Sequence, residues 1–227
     1  MNLKAVLFDM DGVLYDSMPN HAEAWVTVMT GRGYAFTHED AYLHEGRTGA
    51  ATIRLVCERE GISLTERETE ALYDEKKELF GALPAPRPIP GVYDLLKTIT
   101  AGGYTPAVVT GSGHADLFDR LNRTFPGIPF SRDRMVTAFD VKHGKPHPEP
   151  YLMALEKGKW HPQEAVVVEN APLGIASAAA AGLFTVAVNT GPLPDFCLLD
   201  AGANRLFRNM TELRDAWDEI TATVRLI

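Results

Sequence analysis

Lys4-Ala5-Val6-Leu7-Phe8-Asp9-Met10-Asp11-Gly12, close to the N-terminus, joins a continuous apolar run to two carboxylates one residue apart. A run without alternation suits a strand buried on both faces, as in a parallel sheet, better than a half-exposed antiparallel one. Comparable runs recur at Thr105 to Thr110 (TPAVVT), Met135 to Thr137, Ala165 to Val168 (AVVV) and Thr185 to Val188 (TVAV), separated by helix-like stretches. This alternation predicts an α/β fold, a doubly wound, Rossmann-like parallel sheet. Ligands of such sheets bind beyond the carboxyl ends of the strands, so Asp9, Thr110 and Glu169 are expected to converge on one crevice.

The pattern changes between Ser17 and Leu83. Apolar residues recur there at helical spacing (Trp25, Val28 and Met29; Ile53, Val56 and Cys57; Leu72, Leu79 and Phe80), and no β-rich run appears. An all-helical insert of this size buries too little surface for more than marginal independent stability. The predicted organisation is a core of residues 1–16 and 84–227 on which a small helical cap domain, 17–83, leans. The joints are Asp16-Ser17-Met18-Pro19 and the proline-rich Leu83 to Gly91 (LPAPRPIPG), whose alternate prolines favour an extended, semi-rigid strap. The strap reads as a linker, as the hinge of a closing lid, or as both.

The bulk composition, 227 residues with 45% hydrophobic and 23% charged, is that of an ordinary globular chain. A formal charge of −8 offers no basic face for nucleic acid. Any anionic substrate must therefore be held by local positive groups, a metal ion among them. The N-terminal segment runs into carboxylates rather than a signal-peptide core, and no stretch approaches the roughly 20 apolar residues that span a bilayer. Cys57 and Cys197 lie far apart without metal-ligand spacing and read as reduced thiols. The expectation is a cytoplasmic monomer without a nucleic-acid or membrane partner.

Four stretches carry chemistry. In the first, Asp9 and Asp11 repel each other by about 4 kcal/mol at ~4 Å and an effective dielectric near 20, a cost that a bound Mg²⁺ reverses. With a divalent ion present, the first carboxylate can attack phosphorus while the second handles a proton; the bland alternative is a solvated Asp-x-Asp-Gly turn. In the second, Thr110-Gly111-Ser112-Gly113 opens a buried strand into hydroxyls and free amides before a helix expected near His114, a setting that suits phosphate oxygens. In the third, Lys145 is fixed between Gly144 and Pro146 ahead of a proline-initiated helix, which suits it to neutralise the nucleophile and the phosphate. In the fourth, Glu169 and Asn170 end a strand, and both can serve an oxygen-loving cation.

These elements, in this order, resemble the haloacid dehalogenase superfamily of phosphotransferases, across essentially the whole chain. The resemblance implies Asp9 as nucleophile, Asp11 as general acid/base, Thr110 and Lys145 as the phosphate-positioning pair, and Mg²⁺ held by Asp9, the main-chain carbonyl of Asp11, Glu169 and Asn170. DSMPNHAEAW (Asp16 to Trp25) and ENAPLGI bring the chain closest to the β-phosphoglucomutase-like branch. Asn170 stands where relatives of that branch often have an acid, and it removes one formal charge from the metal site. In the cap, His44-Glu45-Gly46-Arg47-Thr48-Gly49 displays an acid and an arginine on a loop that can approach closely. The loop reads as a solvated connection or as a substrate-facing one, with Arg47 clamping a phosphate and Glu45 completing the metal shell. His21 can orient Asp11 or cap its own helix, and Tyr73 and Lys76 share a face that can border the leaving-group pocket.

The expected function is Mg²⁺-dependent hydrolysis of a small phosphorylated substrate through an aspartyl-phosphate. Inorganic pyrophosphate is the favoured substrate because Glu45 and Arg47 leave little room for a sugar, and HEGRTG with ENAPLG looks like a pyrophosphatase-type offshoot of the branch. The alternatives are a β-phosphoglucomutase-type mutase or sugar-phosphate phosphatase and, from another class, an inactive phosphate-binding module.

Overall fold

Residues 2–113 and 116–224 are described, from a computed structural model of the chain. Strands β1 (Ala5–Phe8), β2 (Thr105–Val108), β3 (Ala165–Glu169), β4 (Phe184–Val188) and β5 (Arg205–Phe207) form a parallel sheet in the order β2-β1-β3-β4-β5. Alternate residues of the central strands enter separate cores. Val6, Phe8, Val108, Val166 and Val168 pack on one face, whereas Ala5, Leu7, Ala107, Ala165 and Val167 pack on the other. Burial on both faces explains why the runs read as continuous in sequence.

Helices α1 (Met18–Thr30), α2 (His38–Leu43), α3 (Gly49–Glu60) and α4 (Glu66–Ala82) lie between β1 and α5 (Val92–Ala101). The sheet is flanked by α5, α6 (Leu117–Thr124), α7 (Glu149–Gly158) and α8 (Pro172–Ala180), and the chain continues through α9 (Asp195–Asp200), α10 (Met210–Asp215) and α11 (Trp217–Val224). This is an α/β Rossmann-like core with a helical cap inserted after the first strand. No helix among the described residues is long and apolar enough to cross a membrane.

The cap has a core of its own, in which Trp25, Val28, Met29, Ile53, Val56, Cys57 and Leu72 meet. Thr37 with Asp40 and Thr65 with Glu68 form capping boxes that satisfy the first amides of α2 and α4. The two joints run side by side. Asp16 N donates to Arg87 O at 2.8 Å and Ile89 N to Leu14 O at 3.0 Å, so the proline-rich strap is paired with the outgoing chain rather than free.

Two expectations differ from the observed elements. Met135 to Thr137 forms no strand; it contributes an isolated bridge, Val109 to Val136, because a 3₁₀ turn at Arg132–Arg134 and an Asp140-capped turn at Thr137 confine the extended backbone. The fifth strand, β5, was not expected; it spans only three residues, none fully buried. The helix expected near His114 begins at Leu117, and His114 itself lies outside the described residues.

Candidate active site

The register of the sheet assembles the site. Phe8 is level with Val108 and with Val168, so the residues that follow, Asp9, Thr110, Glu169 and Asn170, leave the carboxyl ends of β1, β2 and β3 together. Lys145 reaches this point from the loop before α7. Its ammonium donates to Asp9 Oδ1 at 2.5 Å, Val109 O at 3.1 Å and Glu169 Oε1 at 2.6 Å. Asp9, Lys145 and Glu169 are all buried.

The charges around this lysine do not balance without help. Burial pushes the Asp9 carboxyl up to about 8; Lys145 opposes the rise, and Glu169 and Asp11 add to it. Burial, then Asp9, holds Glu45 well above the usual carboxylate range, against the Asn170 amide. For Lys145 itself burial disfavours the charge, but Asp9 and Glu169 outweigh it and keep the ammonium protonated above its usual range. One ammonium thus serves several acids, a deficit that a divalent cation corrects.

Asp11 is in a different state. Burial opposes its ionisation, yet His21, Ser17 and Ser112 together hold the carboxyl well below the usual range. Ser17 Oγ donates to Oδ1 at 2.6 Å, Ser112 Oγ to Oδ2 at 2.8 Å, and His21 Nε2 lies 3.3 Å from Oδ1. Behind the histidine, Lys76 Nζ is 2.6 Å from Nδ1. With Lys76 protonated, Nδ1 accepts and Nε2 carries the proton presented to Asp11. His21 therefore faces Asp11 rather than capping its own helix, which shows no side-chain cap.

The cap is closed over these residues. A side chain at Gly46 would stand 3.0 Å from Lys145 Cδ, one at Gly111 would stand 3.0 Å from Gly46 O, and one at Gly144 would stand 3.0 Å from Thr48 Cγ2. Glu45 is carried into the core, where Asn170 Nδ2 donates to both of its carboxylate oxygens at 3.1 Å. The cavity between core and cap, about 70 Å³ and partly open to solvent, is walled by Asp9, Asp11, Gly111 and Ser112 from the core and by His21, Trp25, His44, Glu45, Arg47, Tyr73 and Lys76 from the cap. Tyr73 stacks on Trp25 with ring centroids 6.1 Å apart and fills the space left by Gly49. Thr110 is buried, and its hydroxyl accepts the Ser112 amide at 3.0 Å, shaping the loop whose Gly111 and Ser112 form the wall.

The fit of a metal can be judged from the oxygens present. Because Asn170 turns its amide nitrogen toward an anion, Oδ1 faces away; it is buried and accepts no hydrogen bond. Among the described residues no three His, Cys, Asp or Glu side chains are grouped to hold a metal. A cation here must then use amide and main-chain oxygen together with carboxylate, a hard donor set suited to Mg²⁺. Glu169 departs from the expectation of a ligand. Its Oε1 accepts Lys145 and Tyr151, the latter at 2.7 Å, and its Oε2 accepts the amides of Asn170 at 3.1 Å and Ala171 at 3.3 Å.

Two contributors were absent from the sequence reading of the site. Ser17 was read only as a joint, although its position six residues past Asp11 was the available signal. Tyr151 was not singled out, and nothing in a helical tyrosine marks it as a partner of Glu169.

A paired strand-end aspartate and lysine, a second ionised aspartate and a helical lid define a phosphohydrolase of the haloacid dehalogenase type. A family model for haloacid dehalogenase-like hydrolases matches residues 3–182, and the chain belongs to that family. It is 34% identical over 190 residues to hexitol phosphatase A of Escherichia coli, covering 83% of this chain and 84% of the relative. It is 32% identical over 217 residues to the phosphorylated carbohydrates phosphatase of Thermotoga maritima, covering 91% and 94%. The solved structure described as "Putative beta-phosphoglucomutase from Bacteroides vulgatus" superposes with a TM-score of 0.93 at 56% identity, covering 98% of this chain and 90% of that one. These matches support a phosphatase rather than an inactive binding module. They lend no support to the expected preference for pyrophosphate and favour the sugar-phosphate alternative.

Proposed function

We propose that this protein is an Mg²⁺-dependent phosphohydrolase that cleaves a compact phosphorylated carbohydrate or polyol through an aspartyl-phosphate on Asp9. The observation that carries the reading is the Asp9–Lys145 ion pair set beside an Asp11 held as carboxylate. Asp9, Asp11 through its main-chain carbonyl, Asn170 and the cap's Glu45 would hold the metal, which when bound neutralises the acids and the transferring phosphoryl group. Asp9 attacks phosphorus in line as the bond to the leaving oxygen breaks, and that oxygen departs as the alcohol with a proton delivered through Asp11, while the Gly111 and Ser112 loop and Lys145 balance charge on the equatorial oxygens. Asp11, oriented by His21, Ser17 and Ser112, then takes a proton from the water that cleaves the acyl-phosphate. Glu169 steadies Lys145 in this scheme. Closure of the cap over bound substrate would keep bulk water from the intermediate.

A second reading, pyrophosphate hydrolysis, has one observation in its favour. The cap wall of the cavity carries Arg47, whose Nε is buried without a partner, and Lys76, which is bonded to a histidine and not to an acid. Such a wall suits a small anionic leaving group.

The test is phosphate release with Mg²⁺ from hexitol and hexose phosphates, glycerol phosphates and pyrophosphate, without a phosphosugar primer. Preferential turnover of the carbohydrate esters supports the main reading, and preferential turnover of pyrophosphate the second. Isomerisation of a hexose phosphate that needs a bisphosphate primer overturns both in favour of a mutase.

A further inference from the structure

We propose that Tyr151 is a positioning residue for the phosphoryl-transfer centre: its hydroxyl fixes the Glu169 carboxylate, and Glu169 in turn aims the Lys145 ammonium at Asp9. The inference rests on the proposed role of Asp9 as nucleophile and adds a residue that neither the motifs nor the reaction scheme requires.

Tyr151 sits near the start of α7 and is fully buried beneath the sheet's carboxyl edge. Its hydroxyl donates to Glu169 Oε1 at 2.7 Å, the same oxygen that accepts Lys145 Nζ at 2.6 Å. The ammonium lies 5.2 Å from the centre of the tyrosine ring, so ring and hydroxyl border it together. Each N–H of Lys145 has one acceptor: Asp9, Val109 O and Glu169. Two carboxylates thus compete for one cation. By supplying Glu169 with a second donor, Tyr151 lessens that acid's hold and leaves the lysine charge weighted toward Asp9. Gly174 completes the device, since a side chain there would stand 1.9 Å from Glu169 Oε1 and displace the carboxylate. The phenol, held well above its usual range by burial and then by Glu169, remains a donor throughout.

The experiment uses the full chain, saturating Mg²⁺ and whichever ester is turned over in the substrate panel. Tyr151→Phe keeps the ring and removes the donor. Loss of a hydrogen bond to a charged group predicts about a tenfold fall in kcat, with KM and the Mg²⁺ concentration for half activity changing less than about twofold. In a Glu169→Gln background the same substitution should cause no further fall, because the hydroxyl acts through that carboxylate. If Glu169→Gln does not fold, Lys145→Ala supplies the background, since the ammonium is the next link. An unchanged kcat, an equal fall in either background, or a loss confined to KM, Mg²⁺ dependence or thermal stability overturns the proposal. Asp9→Asn is measured alongside. Activity in Asp9→Asn removes the parent reading, whereas a dead Asp9→Asn with an unaffected Tyr151→Phe removes only this inference.

Discussion

The side-chain amide of Asn170, at the end of β3, donates to both carboxylate oxygens of Glu45, a residue of the cap. The acid that Asn170 lacks relative to the branch it resembles is thus supplied across the domain seam. Metal affinity and cap closure are expected to be linked through this contact, because it is the cap that carries Glu45 to the core.

Glu45→Ala should raise the Mg²⁺ concentration for half activity about tenfold, as expected for loss of one anionic ligand. Asn170→Asp alone would set two carboxylates face to face and should impair the protein most at low Mg²⁺. Combined with Glu45→Ala, the same change should recover part of the affinity. Activity titrated against Mg²⁺ for the four proteins reads the coupling; identical curves would show that Glu45 has no part in the metal site.

Metal-free protein should lose stability as pH rises. Asp9 moves from 3.8 to about 8 on folding, and Glu45 also rises, so the folded chain binds these protons more tightly than the unfolded chain. Their stabilisation is complete below about pH 4 and disappears as pH climbs through about 8. Thermal midpoints in EDTA should fall between pH 5 and 8, less so in Asp9→Asn, and the trend should vanish with excess Mg²⁺. A flat profile in EDTA would contradict the charge deficit.

Lys76 predicts a pH effect on substrate affinity. Burial brings its ammonium down to about 8, against the pull of Asp11. Lys76 adds a positive charge to the wall of the cavity below that pH and loses it above, while Arg47 stays charged throughout. For pyrophosphate, KM should rise through about pH 8, and Lys76→Met should abolish that rise while raising KM at neutral pH several-fold. The KM of an ester with an uncharged leaving group should change far less. Parallel behaviour of both substrates would place Lys76 outside the leaving-group contact.

Gly46 combines φ +91° with direct contact on Lys145. Gly46→Ala introduces both strain at φ +91° and a tight 3.0 Å approach to Lys145 Cδ, so it should hold the cap open. The expected outcome is a fall of tenfold or more in kcat/KM with little change in the circular dichroism spectrum. Normal kinetics would mean that turnover does not need this closed seam.

How far the sequence could be read follows the physics of each element. β1, β3 and β4 were legible because burial on both faces demands unbroken apolar runs. β5 was not, since Arg205-Leu206-Phe207 is short and partly exposed at an edge. Lys145 was found through its glycine and proline neighbours, and its partner Asp9 through the strand that ends at it. Glu169 was expected to serve a cation, whereas its oxygens accept Lys145, Tyr151 and two main-chain amides, because sequence gives the position of a carboxylate but not its rotamer. Glu45 was legible only as an acid on a glycine loop; its bond to Asn170 depends on how the cap lies on the core, which no local pattern encodes.

Gly46 and Gly111 meet main chain to main chain, and Gly144 lies against Thr48 beside them. With glycine on one side of each of these contacts, that side of the seam is backbone and keeps nearly the same surface whatever other side chains become. Its fit is therefore insulated from mutational drift in the walls, where Trp25, Arg47, Tyr73 and Lys76 line the cavity. The lid can be rewritten for a new substrate on its inner surface while its closing edge still meets the core.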